Sequence, residues 1–243
     1  MSLSPVVQIN AIIMLIAVVF VILLASHTLI RAFQTKEKTL YLVFITLSLA
    51  ITPWLPGVID YLSWLITQEL VLNDAAYILI GSTLYPIAFL SWLYIYLDLV
   101  YQKRRNQIIV ITGIFIIISD ILIIYTLFLP TGTPVKELLP VVNQTELDHY
   151  YQGFILIVAI LISIAVIITG IHLGRRALES DQRDLKWRGR FLIIGFSLYI
   201  FAIVDSIITD QYLLIPVRIC IMALFLFLYL GLALPKWIRN KLE

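Results

Sequence analysis

The side chains that could do chemistry in this chain are few, and most of them are placed against it. There are three histidines, His27, His149 and His172, and one cysteine, Cys220. A zinc site needs three or four such ligands at one depth. Here His27 and His172 fall near the inner ends of the first and fifth runs and His149 falls in an outer loop, so no three-histidine site can form. No HExxH or GxGD pattern occurs, and no serine–histidine pair at matched depth stands out for acyl transfer. All seven lysines (Lys36, Lys38, Lys103, Lys136, Lys186, Lys236 and Lys241) lie between or at the ends of apolar runs, so none could form a buried Schiff base with retinal. The sequence therefore predicts no catalytic residue, no metal, no cofactor and no enzyme. The lone Cys220 also excludes the extracellular disulfide of animal G-protein-coupled receptors, and their DRY and NPxxY signatures are absent. What remains is three ionisable side chains inside otherwise apolar runs: Asp120, Asp205 and Arg218. At bilayer depth each would cost about 2.5–3.5 kcal/mol on insertion scales unless it pairs, meets water or binds something.

The elements that must position them follow from composition. Of 243 residues, 61% are apolar and 13% charged, and mean hydropathy is +1.01. Soluble chains are nearer 45–50% apolar and about 25% charged. A water-soluble domain could not hide so much apolar surface. This excludes a soluble enzyme, a nucleic-acid binder and a disulfide-stapled secreted module. Seven runs of about 20–25 residues, the length a bilayer-crossing helix needs, lie at roughly 8–31, 39–62, 76–101, 107–129, 151–174, 190–209 and 214–235. Continuous stretches such as Ile155 to Ile168 do not alternate, so they are not transmembrane β-strands. The expected fold is all-α: one seven-helix transmembrane domain over 1–243, in the plasma membrane. The first run has no basic residue before it, which fits an uncleaved first helix rather than a signal peptide.

Charge predicts the orientation. Fifteen of the seventeen basic residues fall on one side: Arg31, Lys36 and Lys38; Lys103 to Arg105; six between Arg175 and Arg190; and Lys236, Arg239 and Lys241. Asp60, Glu69, Asp74, Glu137, Glu146, Asp148 and Asp210 mark the other side. The positive-inside rule then puts the N-terminus outside and the C-terminus in the cytoplasm. Trp54, Trp64, Trp187 and Trp237 stand near the ends of runs, as headgroup-level anchors do. The outer connection at about 130–150 contains Pro130, Pro134 and Pro140, and a glycosylation sequon at Asn143. The 5–6 loop at 175–189 reads as a polar, helix-compatible stretch with a Glu179–Arg183 pair. It would bind anionic headgroups or serve as an output surface for a cytoplasmic partner.

Within this frame Asp120 lies about 20 Å, and Asp205 about 22 Å, from the inner ends of their helices, and Arg218 about 6 Å below the outer end of its own. All three belong to the outer half. Helices 6 and 7 are joined by a very short turn, so Asp205 and Arg218 can meet as an ion pair. Asp98 lies near the inner end of helix 3 and reads as a partner for Lys103 to Arg105. Ser82, Tyr85, Phe89, Trp92 and Tyr96 recur at +3 and +4 and share one face of helix 3. Pro53, Pro56 and Pro86 would kink helices 2 and 3 at similar depth. Two readings fit. One is a structural ion pair with a packed aromatic stripe. The other is a pocket for a small ligand from outside, lined by Asp120, Asp205, Arg218 and Tyr85, with Trp92 below. Gly170 and Gly174, with Ala159 and Ser163, would let helix 5 approach a neighbour closely.

Seven helices, an external N-terminus, an outer-half polar cluster and a Pro235-Lys236-Trp237 ending together resemble the N-terminal seven-helix sensor region of microbial histidine kinases. The resemblance implies a receptor-like sensor in which the helices precede cytoplasmic output domains. This chain stops at Glu243 without a kinase core, so signalling would need a separate partner unless the chain is a fragment. A small transporter or channel is the rival reading, although no internal repeat is evident. The orientation is testable by single-cysteine labelling in a Cys220→Ser background. Ser180→Cys should resist an impermeant maleimide added to intact cells and react only after permeabilisation. Labelling from outside would reverse the assigned orientation.

Overall fold

The computed structural model describes residues 3–129, 142–145, 147–151 and 153–235. Among the described residues seven helical rods are long and apolar enough to cross a membrane: span 1 (Pro5–Thr35), span 2 (Lys38–Thr67), span 3 (Asp74–Val100), span 4 (Gln102–Leu127), span 5 (Gly153–Leu178), span 6 (Arg183–Asp205) and span 7 (Gln211–Leu232). All seven expected runs are present. Their outward faces are bare aliphatic surface; Ile111 is 68% and Ile117 59% exposed. Such a surface fits a multi-pass membrane protein.

Polar residues at the rod ends explain where the helices begin. Ser4 accepts a hydrogen bond from the Val7 amide, with Pro5 in the first turn of span 1. Asn73 accepts from the Ala76 amide at 2.8 Å, and Asp210 from the Tyr212 amide at 2.8 Å, starting spans 3 and 7. Each satisfies a backbone donor that the first helical turn leaves open. Span 1 stops at Lys36, which adopts φ 56°.

Three rods are interrupted at related heights. Span 2 is helical over Lys38–Ala50, turns through a 3-10 segment at Thr52–Trp54 and resumes over Leu55–Thr67. Pro53 and Pro56 lack the amide that would continue the ladder. Span 3 breaks between Asp74–Ser82 and Tyr85–Val100, just before Pro86. Span 6 breaks at Tyr199, between Arg183–Leu198 and Ile200–Asp205, with no proline to announce it. Span 7 is continuous but carries Pro216.

Packing is closest among spans 5, 6 and 7, where glycines let backbones approach. A Cβ at Gly170 would lie 2.1 Å from the Phe196 ring. One at Gly189 would lie 2.6 Å from the Gly174 carbonyl oxygen. The small-residue pair in span 5 thus faces span 6. Span 1 packs on spans 2 and 7, and span 4 rests chiefly on span 3.

The 4–5 connection contains something beyond the helices: an antiparallel hairpin of β1 (Val142–Thr145) and β2 (Asp148–Tyr151). At its turn Leu147 is 1% exposed. Its carbonyl lies against Gly57 of span 2, beside Met14 of span 1, so the turn is seated in the bundle.

Several sequence expectations are corrected. The 5–6 connection is only residues 179–182, because span 5 runs to Leu178 and span 6 starts at Arg183. The six basic residues therefore sit on helix ends, and Glu179 and Arg183 flank the turn instead of pairing along a helix. The ion pair found there is Arg188–Asp184 at 3.6 Å. Asp60 is no loop residue; it is fully buried in span 2 and accepts from the Val71 and Leu72 amides at 3.0 and 2.9 Å. Trp54 and Trp64 are each 8% exposed and point into the protein, not to headgroups. The Asn143 side chain, Pro130 to Pro140 and the tail with Trp237 lie outside the described residues.

The glycine seam gives a stability test. Gly189→Ala forces one backbone away from another and should destabilise the protein by about 1–3 kcal/mol, the usual cost of overpacking. Gly113→Ala has nothing within 4 Å of its new methyl and should hold or raise the melting temperature in detergent. Equal melting temperatures for the two variants would contradict the seam.

Candidate functional site

Span 6 ends at Asp205, and span 7 begins at Gln211. The turn between them folds the two into an antiparallel pair and brings Asp205 against Arg218. The Arg218 Nε lies 3.3 Å from Asp205 Oδ1, with the two side chains 3% and 13% exposed. The other carboxylate oxygen, Oδ2, accepts from the indole Nε1 of Trp54 at 2.9 Å. Trp54 reaches it because span 2 turns at Ile51–Trp54. One carboxylate therefore joins spans 2, 6 and 7. In a poorly polarisable interior a charge is tolerated only when paired and hydrogen-bonded, which is how Asp205 is held.

Beside this cluster is a cavity of about 100 Å³. All three helix interruptions border it, through Ile51, Pro53 and Trp54, through Ser82 and Tyr85, and through Tyr199. Asp205 and Ser206 also line it, while most of its wall is aliphatic, from spans 4, 5 and 7. On the cavity wall the Tyr85 and Tyr199 hydroxyls lie 2.8 Å apart, and Ser163 Oγ is 3.4 Å from the Tyr85 hydroxyl. Ser82 is 8% exposed. Its Oγ has no hydrogen-bond partner among the described residues.

Below the cavity the bundle closes. Trp92 packs against Phe196 in a tilted arrangement with ring centroids 4.6 Å apart, and its indole donates to Thr169 at 2.9 Å. A smaller void of about 30 Å³ lies here, sharing Tyr85 and Tyr199 with the larger one. Farther toward the basic end the Tyr96 hydroxyl meets His172 Nδ1 at 2.8 Å, and Tyr229 meets His27 Nδ1 at 2.6 Å. Arg31 donates to the Ala233 and Leu234 carbonyls, at 2.7 and 3.1 Å, just past the end of span 7. Asp98 pairs with Arg105.

The five residues singled out from the sequence are thus divided. Asp205 and Tyr85 line the main cavity, and Arg218 stands behind Asp205. Trp92 lines the smaller void beneath. Asp120 lines neither cavity. It lies on span 4, half-buried, one turn from Ile123, through which that helix borders the main cavity. Its Oδ1 has no hydrogen-bond partner among the described residues. Sequence reasoning missed Trp54 as a partner of Asp205 and missed Tyr199 altogether. Pro53 beside Trp54, at the depth of Asp205, was the available signal for the first. Nothing in the local sequence marks the second. It also missed Asn10, fully buried in span 1, whose side-chain amide donates to the Gln211 backbone carbonyl at 2.6 Å and ties spans 1 and 7 at the N-terminal end.

The chain matches no protein-family model, and no curated protein sequence or solved structure is significantly similar to it.

Proposed function

We propose that this is a seven-helix sensor of the plasma membrane, with its N-terminus outside, its C-terminus in the cytoplasm and a small ligand taken up in the outer half. The observation that carries this reading is the position of the cavity at the junction of three interrupted helices. A ligand wedged there would touch both halves of span 3, the turn of span 2 and the last part of span 6 from its break at Tyr199, so filling the cavity would bias the angles at those breaks. Span 6 would carry the change to its basic end, where Arg175, Arg176, Arg183, Lys186 and Arg190 are exposed. That surface suits an acidic cytoplasmic partner or anionic headgroups. Trp92 and Phe196 pack against each other between the cavity and that end, which suits a receptor better than an open channel.

A small transporter is the second reading, and the helix breaks themselves favour it, because discontinuous helices at one depth frame many transport sites. The two differ in what a filled cavity does. Ala202→Trp and Ala159→Phe place bulk in the cavity and stand in for an occupied state. With spin labels at positions 103 and 186 in a Cys220→Ser background, a sensor should show the label distance shifting, with helix movements of about 1–2 Å. Unchanged distances in both folded variants would remove the sensor reading. A transporter would instead expose Ser206→Cys to an impermeant reagent from each side of a proteoliposome.

A further inference from the structure

The Asp205–Arg218 pair invites the idea of a charged ligand, but the geometry points the other way. Asp205 already has Arg218 on one oxygen and Trp54 on the other. A cationic ligand would have to displace a guanidinium that is 97% buried, and an anionic one would meet the carboxylate first. The remaining wall contributes Ile51, Ile123, Ile155, Val158, Ile162 and Leu224. The polar groups left to recognise anything are hydroxyls.

Those hydroxyls have spare capacity. Tyr85, Tyr199 and Ser163 carry three hydroxyl protons, and the two contacts among them use two. One proton is left for an outside acceptor among the described residues. Ser82 Oγ is buried on the same wall, one turn from Tyr85, and has no partner there at all. A buried hydroxyl without a partner costs about 1–3 kcal/mol, and a ligand able to satisfy it recovers that cost. The cavity measures about 100 Å³. A void of about 150 Å³ lined by aliphatic side chains holds benzene, so the buried part of the ligand is no larger than one ring.

We infer that the cavity takes an uncharged, ring-sized, mainly apolar molecule bearing one hydroxyl or carbonyl, and that Ser82, with the Tyr85–Tyr199–Ser163 hydroxyls, is its polar recognition site. This rests on the reading that the cavity is a ligand site. It makes Asp205 and Arg218 structural supports of the site instead of its ligand-binding groups.

Four probes of one shape test it on the full chain in nanodiscs: cyclohexanol, methylcyclohexane, cyclohexylammonium and cyclohexanecarboxylate, with saturation-transfer NMR reporting binding. Cyclohexanol should bind best, and Ala202→Trp should abolish its binding. Ser82→Ala should weaken cyclohexanol roughly tenfold, the worth of one hydrogen bond, and leave methylcyclohexane unchanged. Tyr199→Phe, which breaks the hydroxyl chain, should act in the same direction and serves as the second variant. Preference for the ammonium or the carboxylate would overturn this inference while leaving the cavity a ligand site. Equal binding of cyclohexanol to the wild type and to both hydroxyl variants would overturn it too. Failure of all four probes to bind, with Ala202→Trp without effect, would overturn both the inference and the ligand-site reading.

Discussion

One carboxylate, Asp205, holds together the half of the molecule that contains the cavity. It is the last residue of span 6, and it is bound from span 7 by Arg218 and from the turn of span 2 by Trp54. An unpaired charge at this depth would cost several kcal/mol, so neither partner can withdraw without the others rearranging. This constraint fixes the turn between spans 6 and 7. It also holds the break in span 2 facing inward, and the void lies where those interrupted helices cannot pack flush. The cavity follows from the ion pair and the prolines together: Pro53, Pro56 and Pro86 interrupt the ladders, and the Asp205 cluster holds the interrupted ends in place.

The other half is built differently. There the backbones of spans 5 and 6 touch at Gly174 and Gly189, and Gly170 leaves room for the Phe196 ring. Aromatic side chains fill the rest, and single hydrogen bonds from Trp92, Tyr96 and Tyr229 join neighbouring spans. This half holds a void of about 30 Å³, against about 100 Å³ in the upper half. Asn10 at the start of span 1 and Arg31 near its end clamp that span to span 7 at both heights. Span 4, attached mainly through span 3, has the least part in either half.

The parts legible in the sequence were those where polarity interrupts a hydrophobic run. The seven spans, the Asp205–Arg218 pair and the Asp98 pairing with its basic neighbours all came from that contrast, while the shared face of span 3 came from the +3 and +4 recurrence of its aromatic residues. The parts that stayed hidden were those where it is absent. Residues facing lipid and residues facing the core are equally apolar, so nothing local shows that Phe196 is buried while Ile194 is exposed. Tyr199 breaks a helix without a proline. Trp54 and Trp64 looked like headgroup anchors because tryptophan near the end of a span serves either role, and only the turn at Ile51–Trp54 decides between them. Asp60 counted as one more outer acid, although it is buried and organises the 2–3 connection through two backbone amides. Asp120 shares the estimated height of Asp205, but height along a helix carries no information about which neighbours that helix faces.

Asp205 and Arg218 should act as one unit in holding the upper half together. A double-mutant cycle in unfolding free energy tests it most directly, with Asp205→Ala, Arg218→Ala and the double variant measured in the same detergent. Each single change strands a buried charge and should cost about 3–5 kcal/mol. The double variant should cost clearly less than the two losses together, because it leaves no charge unpaired. Additive losses would show that the two residues act independently, and the account of the upper half built on their pairing would fail.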